Sequence, residues 1–302
     1  MHGWILLDKP LGLGSTQGVS AVKRALRDGG YGRFKVGHGG TLDPLATGVL
    51  PIALGEATKL AGRMLDSDKV YDFTIRFGEQ TDTLDLEGTV IATSEVRPTR
   101  AEVEAVLPRF TGPIAQVPPI YSALKVDGQR AYALARAGEE VELKSRDVTI
   151  HALTLADADA DTGADEPLEA VTLTAHVSKG TYIRSLARDI ALALGTVGHV
   201  TMLRRVKAGP FGLKTAISLD KLAELGKGHA LAQALLPLRA GLDDIPAFSL
   251  TPDQAGRLRQ GQQLVGIAAD EGPAFAMLDD VPVALVEVQH GVARVVRGFN
   301  LE

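Results

Sequence analysis

Residues 37–54, GHGGTLDPLATGVLPIAL, place one carboxylate, Asp43, between a glycine-rich segment and an apolar run. The glycines permit backbone conformations with positive φ, or a close approach to another molecule. Pro44 restricts the preceding residue, Asp43, to extended geometry. The stretch therefore predicts a stiff loop that presents a carboxylate. Because Asp and Gly are also common in simple turns, a turn in which Asp43 caps the next segment is the alternative interpretation.

The same stretch closely resembles the catalytic motif of the pseudouridine synthases, in particular the bacterial TruB family that converts uridine 55 in the T arm of transfer RNA. The resemblance implies that Asp43 is the catalytic aspartate and that His38 fills space left by a flipped-out nucleotide. Without the motif, the simpler interpretation of His38 is a neutral loop histidine. Gly39 stands where the family has threonine, so we expect one hydroxyl contact to be missing.

The composition is that of an ordinary globular protein, with 302 residues, 45% hydrophobic and 23% charged. This length allows a full hydrophobic core and a second, smaller domain. The absence of cysteine excludes disulfides and thiol-based metal sites, which suits a reducing compartment. No run approaches the roughly 18 apolar residues of a membrane span, and the first ten residues are too short and too soon charged for a secretion signal. We expect a soluble, cytoplasmic protein with no membrane segment.

Positive charge is concentrated locally, although the formal net charge is −5. Between His176 and Thr215 there are seven basic residues against one acidic residue, Asp189. Such a concentration favours nucleic-acid binding within an acidic chain. Together with the resemblance it predicts RNA contacts from Lys9, Lys125, Arg130, Lys179, Arg188, Arg204 and Arg205.

The N-terminal segment contains an apolar strand, Trp4–Asp8, then KPLGLGSTQG, then a helix predicted over residues 20–30. Its glycine spacing is one residue too long for a dinucleotide-binding fingerprint, and no acidic residue follows for a ribose. Lys9 and Pro10 match a family motif that supports the active-site loop. Thr16-Gln17 replaces the Ser-His pair that is more usual there.

A second motif begins on a predicted strand, VYDFTIRFG, in which alternate residues from Tyr71 to Phe77 share one face. That pattern alone favours core packing for Tyr71. However, K-x-Y followed by G-x-x-T-D-T-x-D-x-x-G resembles the family's second motif, with Leu84 where glycine is usual. The resemblance implies that Tyr71 contacts the target base.

A third motif lies in KGTYIRSLARD, residues 179–189, and GHVTMLRRVKAGPF, residues 198–211. The helical spacing predicts a buried stripe that includes Leu186 and places Arg184 and Arg188 on another face. Such an arginine pair commonly forms only surface ion pairs. The resemblance implies instead that Arg184 lies beside Asp43 and that Tyr182 and Leu203 line the base pocket.

The family resemblance implies an α+β fold, a pseudouridine synthase domain over residues 1–245 with a central mixed, largely antiparallel sheet flanked by helices and loops. A thumb-like insertion is expected at about 112–146, and residues 156–167 predict an exposed acidic loop. Residues 246–302 have the size and alternation of a small β-rich domain and resemble the RNA-binding PUA domain.

Pseudouridine formation involves no net redox change, so no cofactor and no metal is expected. A carboxylate can act as the nucleophile or electrostatic partner if a neighbouring guanidinium keeps it ionised, and a phenol at Tyr71 could relay a proton. Attack by Asp43 on C6, attack on C1′ and assistance to loss of the C2′ proton all remain open. The predicted partner is tRNA, with no obligate protein partner and a monomeric state.

Two other classes of protein share some of these features. A non-catalytic RNA-binding protein or chaperone could use the same basic surface, but it would not need Asp43. A glycoside hydrolase needs two cooperating carboxylates, for which Asp82 and Asp85 are the nearby candidates.

Overall fold

The computed structural model describes residues 1–122, 124–126, 129–131, 134, 137, 143–156, 163–242 and 244–301. The chain divides into two compact units. The first comprises Met1–Pro44, Gly48–Leu65 and Ala208–Glu302, and the second comprises Leu45–Thr47 and Asp66–Lys207. Within the described ranges, no helix is both long and apolar enough to cross a membrane.

The α-helices are α1 (Ser15–Asp28), α2 (Ala61–Asp66), α3 (Arg100–Val106), α4 (Ile183–Ala193), α5 (Leu219–Lys227) and α6 (Pro252–Arg259). Short 3-10 helices occupy Gly55–Leu60, Leu107–Phe110, Leu213–Thr215, Leu231–Ala234 and Leu238–Leu242. The strands up to the middle of the chain are β1 (Gly3–Lys9), β2 (Val36–His38), β3 (Ala46–Leu54), β4 (Lys69–Phe77), β5 (Glu79–Thr81), β6 (Val90–Thr93), β7 (Gly112–Gln116), β8 (Lys125–Val126), β9 (Gln129–Arg130) and β10 (Arg146–Leu155). The later strands are β11 (Ala170–Val177), β12 (Gly198–Ala208), β13 (Phe211–Gly212), β14 (Leu236–Pro237), β15 (Ala247–Ser249), β16 (Leu264–Val265), β17 (Gly272–Leu278), β18 (Val281–Gln289) and β19 (Val292–Gly298).

A ten-stranded sheet has the order β14-β1-β3-β12-β4-β11-β10-β7, with β13 paired to β12 and β2 to β3. The pairings of β1 with β3, β4 with β11, and β10 with both β11 and β7 are antiparallel. The predicted α+β fold with a large central sheet is confirmed.

The core of the second unit forms between the sheet and α4. Phe73, Ile75 and Phe77 of β4 are buried, as the period-two pattern predicts, and alternate residues of β11 are buried with them. Ile183, Leu186 and Ile190 of α4 cover these strand residues. This packing places Arg184 on a different face of the helix, as predicted.

The first unit has its own core around Trp4 of β1, which is fully buried. Its indole Nε1 donates a hydrogen bond to the Leu238 carbonyl at 3.1 Å. Phe275 of β17 and Phe299 belong to the same hydrophobic cluster. The C-terminal strands therefore contribute directly to the core that also holds β1.

A five-stranded sheet, β15-β17-β18-β19-β16, forms the C-terminal part of the chain together with α6. This confirms the predicted β-rich C-terminal domain. Its boundary at residue 246 and its resemblance to a PUA domain stay predictions.

Two predicted segments differ in detail from the structure. Helix α1 begins at Ser15, five residues before the predicted start, because the Gln17 side chain accepts a hydrogen bond from the Gly14 amide at 2.7 Å and closes the first turn. Residues 112–116 of the expected insertion form β7 of the large sheet. Much of the rest of the insertion, and residues 157–162 of the acidic loop, lie outside the described residues.

Candidate active site

The loop that carries Asp43 is fastened on both sides of this residue. On one side, the buried Ser15 hydroxyl donates to the Leu42 carbonyl at 2.9 Å and accepts from the Leu42 amide at 2.8 Å. On the other side, the Lys9 ammonium donates to the Pro44 carbonyl at 3.3 Å and to the Leu13 carbonyl at 2.6 Å. Asp43 itself is exposed. The local structure therefore holds the backbone and presents the carboxylate, as the sequence predicts.

Gly39, the departure from the family motif, has a packing explanation. A Cβ atom at Gly39 would lie 2.8 Å from Cβ of Met64 and 3.0 Å from its Cγ, closer than real Cβ contacts. Threonine would therefore displace Met64, which is buried in the core around Trp4. In this chain the methionine occupies the space that a larger residue at position 39 would need.

His38 is the last residue of β2 and pairs with Ile52 of β3. Its side chain is half-buried. Like Asp43, it belongs to the first unit, whereas Tyr71, Tyr182, Arg184 and Leu203 belong to the second. The predicted pairing of Asp43 with Arg184 stays a prediction.

Within the second unit, Tyr71 and Leu203 lie at the margin of the same hydrophobic cluster, and both are half-buried. Tyr71 is on β4, opposite Ala175 of β11. Leu203 is on β12, which neighbours β4 in the sheet. Their positions give the second unit an apolar surface with partly exposed side chains, of the kind that can receive a planar base.

The guanidinium of Arg184 is held by three acceptors from two segments, residues 83–85 and Tyr121. Its Nη1 donates to the Thr83 carbonyl at 2.8 Å and to Oδ2 of Asp85 at 3.0 Å, and its Nη2 donates to the Tyr121 carbonyl at 3.0 Å. The side chains of Arg184 and Asp85 are only 11% and 12% exposed. Screening by water is therefore weak, and the guanidinium plane is fixed in orientation.

Asp85 is a site residue whose role the sequence did not predict. Its Oδ1 also accepts from the Thr83 hydroxyl at 2.6 Å and from the Glu87 amide at 3.0 Å. The carboxylate is thus an ion-pair partner and a loop organiser, which disfavours its use as a hydrolase acid. Only the family motif that contains Asp85 could have indicated this role, because its partner, Arg184, lies 99 residues away in the sequence.

The turn before Asp85 contains an unusual backbone conformation. Leu84, at the position where the family has glycine, has a φ of 63° and is buried. Its carbonyl accepts from the Val200 amide at 3.0 Å, next to the Leu203 segment. The conformation that glycine adopts easily is therefore retained in this chain by a leucine, at a cost in strain.

Tyr182 is fixed through its backbone. The buried Gln116 side chain accepts from the Tyr182 amide at 2.8 Å and donates to its carbonyl at 3.2 Å. The Arg146 guanidinium lies 5.8 Å from the centre of the Tyr182 ring, within cation–π range. Gln116 is a second supporting residue that no sequence pattern singled out.

Lys69 precedes Tyr71 on β4, and its side chain is buried. Burial, with a smaller contribution from the positive charge of Arg205, lowers the pKa of Lys69 to about 8. The carboxylates of Asp68 and Asp66 partly oppose this shift. A buried ammonium thus lies two residues from the tyrosine proposed to contact the base.

The predicted RNA contacts fall into four groups. The side chains of Lys9 and Arg205 are fully buried, at 0% and 1% exposure, which favours support of the local fold over contact with a phosphate. Lys179 pairs with Asp66 at 2.9 Å, and Arg188 with Asp189 at 2.8 Å. Arg204 donates to the Thr47 hydroxyl at 3.4 Å. The side chains of Lys125 and Arg130 lie outside the described part of the structure, and RNA binding by all seven stays a prediction.

The chain matches known families and proteins over most of its length. Residues 27–183 match the family model "TruB family pseudouridylate synthase (N terminal domain)", and residues 184–243 match "tRNA pseudouridylate synthase B C-terminal domain". The tRNA pseudouridine synthase B of Novosphingobium aromaticivorans is 67% identical over 100% of this chain and 98% of its own length. That of Zymomonas mobilis is 61% identical over 99% of this chain and 96% of its own length.

Solved structures support the fold. One chain from an H/ACA RNP bound to a substrate RNA containing 2′-deoxyuridine has a TM-score of 0.74 at 24% identity, covering 99% of this chain and 85% of that one. A chain from a Cbf5-Nop10-Gar1 complex has a TM-score of 0.71 at 25% identity, covering 99% and 84%. Fold and motifs together define a pseudouridine synthase. The family matches are more specific, and the chain belongs to the TruB family.

Proposed function

We propose that this chain is a tRNA pseudouridine synthase that converts uridine 55 of the T arm to pseudouridine. Its membership of the TruB family, and the names of relatives that align over its whole length, support tRNA as the substrate. The observation that carries the proposal is the exposed Asp43 carboxylate, on a loop hydrogen-bonded through Leu42 and Pro44 on either side. A scaffold or a simple RNA-binding surface has no need of a carboxylate held in this way.

The reaction breaks the C1′–N1 bond of uridine and forms a C1′–C5 bond. C5 then loses a proton and N1 gains one, so that atoms and electrons balance without an added oxidant or reductant. Asp43 supplies the nucleophile or the negative charge that this rearrangement needs. Its fixed loop lowers the entropy lost when the reactive geometry forms.

The uridine must leave the stacked T loop before it can react. We propose that the flipped base lies against Tyr71, Tyr182 and Leu203, and that His38 fills the space left in the RNA. Support comes from the margin of the apolar cluster, where Tyr71 and Leu203 keep partly exposed side chains. The Tyr71 hydroxyl is proposed to receive the C5 proton.

Arg184 is proposed to pair with Asp43. Its guanidinium already has a fixed plane because Thr83, Asp85 and Tyr121 hold it. A second carboxylate near this cation would be favoured in its ionised form. We further propose that the enzyme acts as a monomer without a protein partner.

The test uses purified full-length protein and an unmodified tRNA transcript, with carbodiimide mapping of pseudouridine by primer extension. We expect one new modification at position 55, and none in a matched transcript with cytidine at that position. Tight binding without conversion would contradict the enzymatic proposal and favour a non-catalytic RNA-binding protein. Conversion at a different uridine would contradict the assigned position alone.

A further inference from the structure

Three side chains on adjacent segments of the second unit converge at a point that the proposed reaction does not use. They are Asp68, immediately before β4, His151 on β10 and His176 on β11. Oδ2 of Asp68 lies 3.2 Å from Nε2 of His151 and 3.6 Å from Nε2 of His176. The two imidazole rings are 4.7 Å apart between centroids. In the described part of the chain, no other trio of His, Cys, Asp or Glu side chains comes as close.

Strand pairing accounts for this convergence. In the pairing of β10 with β11, Ile150 lies opposite Val177 and Ala152 lies opposite His176, so His151 is the extra residue of a β-bulge. In such a bulge two residues of one strand lie opposite one residue of the partner strand. His151 and Ala152 therefore both lie beside His176. His176 in turn lies opposite Val70 of β4, two residues after Asp68.

Two of the three separations between the ligand atoms fit a small divalent cation, and all three are within 4.8 Å. In a tetrahedral zinc site with zinc–ligand distances of roughly 2.0–2.2 Å, the ligand atoms are about 3.3–3.5 Å apart. The two distances from Asp68 Oδ2 to the imidazole nitrogens, 3.2 and 3.6 Å, bracket that value. Two imidazoles and one carboxylate are also the donor set that zinc and similar transition metals prefer over calcium or magnesium.

The surroundings of the cluster are open to water and contain two ammonium groups, those of Lys69 and Lys179. The side chains of Asp68, His151 and His176 are 47%, 37% and 43% exposed, so water can complete the coordination. Lys179, a nearby cation, forms its ion pair with Asp66 at 2.9 Å. The ammonium of Lys69 donates to the Ser67 carbonyl.

We propose that Asp68, His151 and His176 form a surface binding site for one divalent transition-metal ion of the zinc type. The bound ion links the start of β4 to β10 and β11, three residues ahead of Tyr71. Its role is to fasten these three segments, and it takes no part in the isomerisation.

The test is calorimetric titration of zinc sulfate into metal-stripped, full-length protein without an affinity tag, in a buffer that does not bind zinc. We expect one site per chain, with affinity that decreases as the pH is lowered because protons compete for imidazole nitrogen. His176→Gln and Asp68→Asn should each weaken binding by about tenfold or more, since each removes one ligand. The matched control is His290→Gln, which alters an exposed histidine 3.3 Å from Glu271 that belongs to no such trio among the described residues, and it should leave binding unchanged.

A second measurement separates a lost ligand from a lost fold. Zinc should raise the melting temperature of the wild type, because the ion binds the folded state, and should not raise that of His151→Gln. Circular dichroism of the metal-free variants should match that of the wild type. An absence of zinc binding in the wild type, or equal affinity in the wild type and in both ligand variants, would overturn the proposal.

Discussion

At the residue scale, the proposed chemistry depends on residues whose positions are fixed by hydrogen bonds from neighbouring residues. The backbone around Asp43 is fixed by Ser15 and Lys9, and Arg184 is fixed by Asp85 and two carbonyl groups. The sequence identified Asp43 and Arg184 through motifs. It did not identify Ser15 or Asp85 as their supports, because those contacts depend on which distant segments meet after folding.

Replacing Arg184 by lysine tests the value of a planar cation at this position. Lysine keeps the charge but cannot donate from two nitrogen atoms to the acceptors on Thr83, Asp85 and Tyr121. We expect the rate at saturating tRNA to fall by roughly a hundredfold or more. Single-turnover measurements of pseudouridine formation give this rate directly.

The control for that experiment is Arg100→Lys, which alters an i,i+4 helix pair between half-buried Arg100 and exposed Glu104. It should leave the rate unchanged. If Arg184→Lys instead retains a saturated rate within about threefold of the wild type, and only the salt dependence of binding changes, Arg184 is a phosphate ligand and the pairing with Asp43 is wrong.

Leu84 provides a prediction about backbone strain. Both Leu84→Ala and Leu84→Gly remove a buried side chain, but only glycine relieves the positive φ of 63°. The glycine variant should therefore be more stable than the alanine variant by about 1 kcal/mol, the reverse of the order expected at an ordinary position. Urea unfolding of the two proteins measures the difference. A more stable alanine variant would show that residue 84 is not held in the left-handed region.

At the element scale, the second unit was the part best predicted from sequence. The alternation in β4 and β11 and the apolar stripe of α4 match the buried residues, because both patterns reflect a single buried face. The predicted start of α1 was wrong, because Gln17 closes the first turn of the helix and the N-cap residue is a glycine. The bulge at His151 could not be predicted, since it depends on the register between β10 and β11.

Strand β4 also contains a buried lysine whose ionisation is linked to stability. The pKa of Lys69 is about 8 in the folded protein, against 10.5 for a solvated lysine side chain. Lys69 therefore keeps its proton to higher pH in the unfolded chain than in the folded protein. Wild-type stability should therefore rise, relative to a Lys69→Met variant, as the pH increases from about 8 to 10.5. The slope should approach about 1.4 kcal/mol per pH unit.

Urea unfolding of both proteins across this range measures the slope. Lys227→Met, at an exposed position in the last turn of α5, is the matched control and should show no comparable difference from the wild type. A wild type whose stability relative to Lys69→Met is flat or falls across the window would contradict the lowered pKa of Lys69.

At the scale of the whole molecule, the sequence predicted the fold class and the family, and the domain boundary at residue 246 stays a prediction. Motifs over residues 37–54, 69–88 and 179–211 carry the family signal, since the chemistry constrains those residues directly. The two units are discontinuous in sequence, and Phe275 and Phe299 share a core with Trp4. Local patterns of hydrophobicity contain no information about which distant segments pack together, so this arrangement could be seen only in the structure.

The central claim is that the Asp43 carboxylate is required for the chemistry and contributes little to recognition of the RNA. The most direct measurement compares wild type, Asp43→Asn and the exposed control Asp28→Asn under single-turnover conditions with saturating unmodified tRNA. Asparagine preserves shape and removes the charge, so pseudouridine formation should be abolished while tRNA affinity stays within about tenfold of the wild type. Asp28→Asn should match the wild type in both respects. Conversion by Asp43→Asn at a rate near that of the wild type would contradict the account.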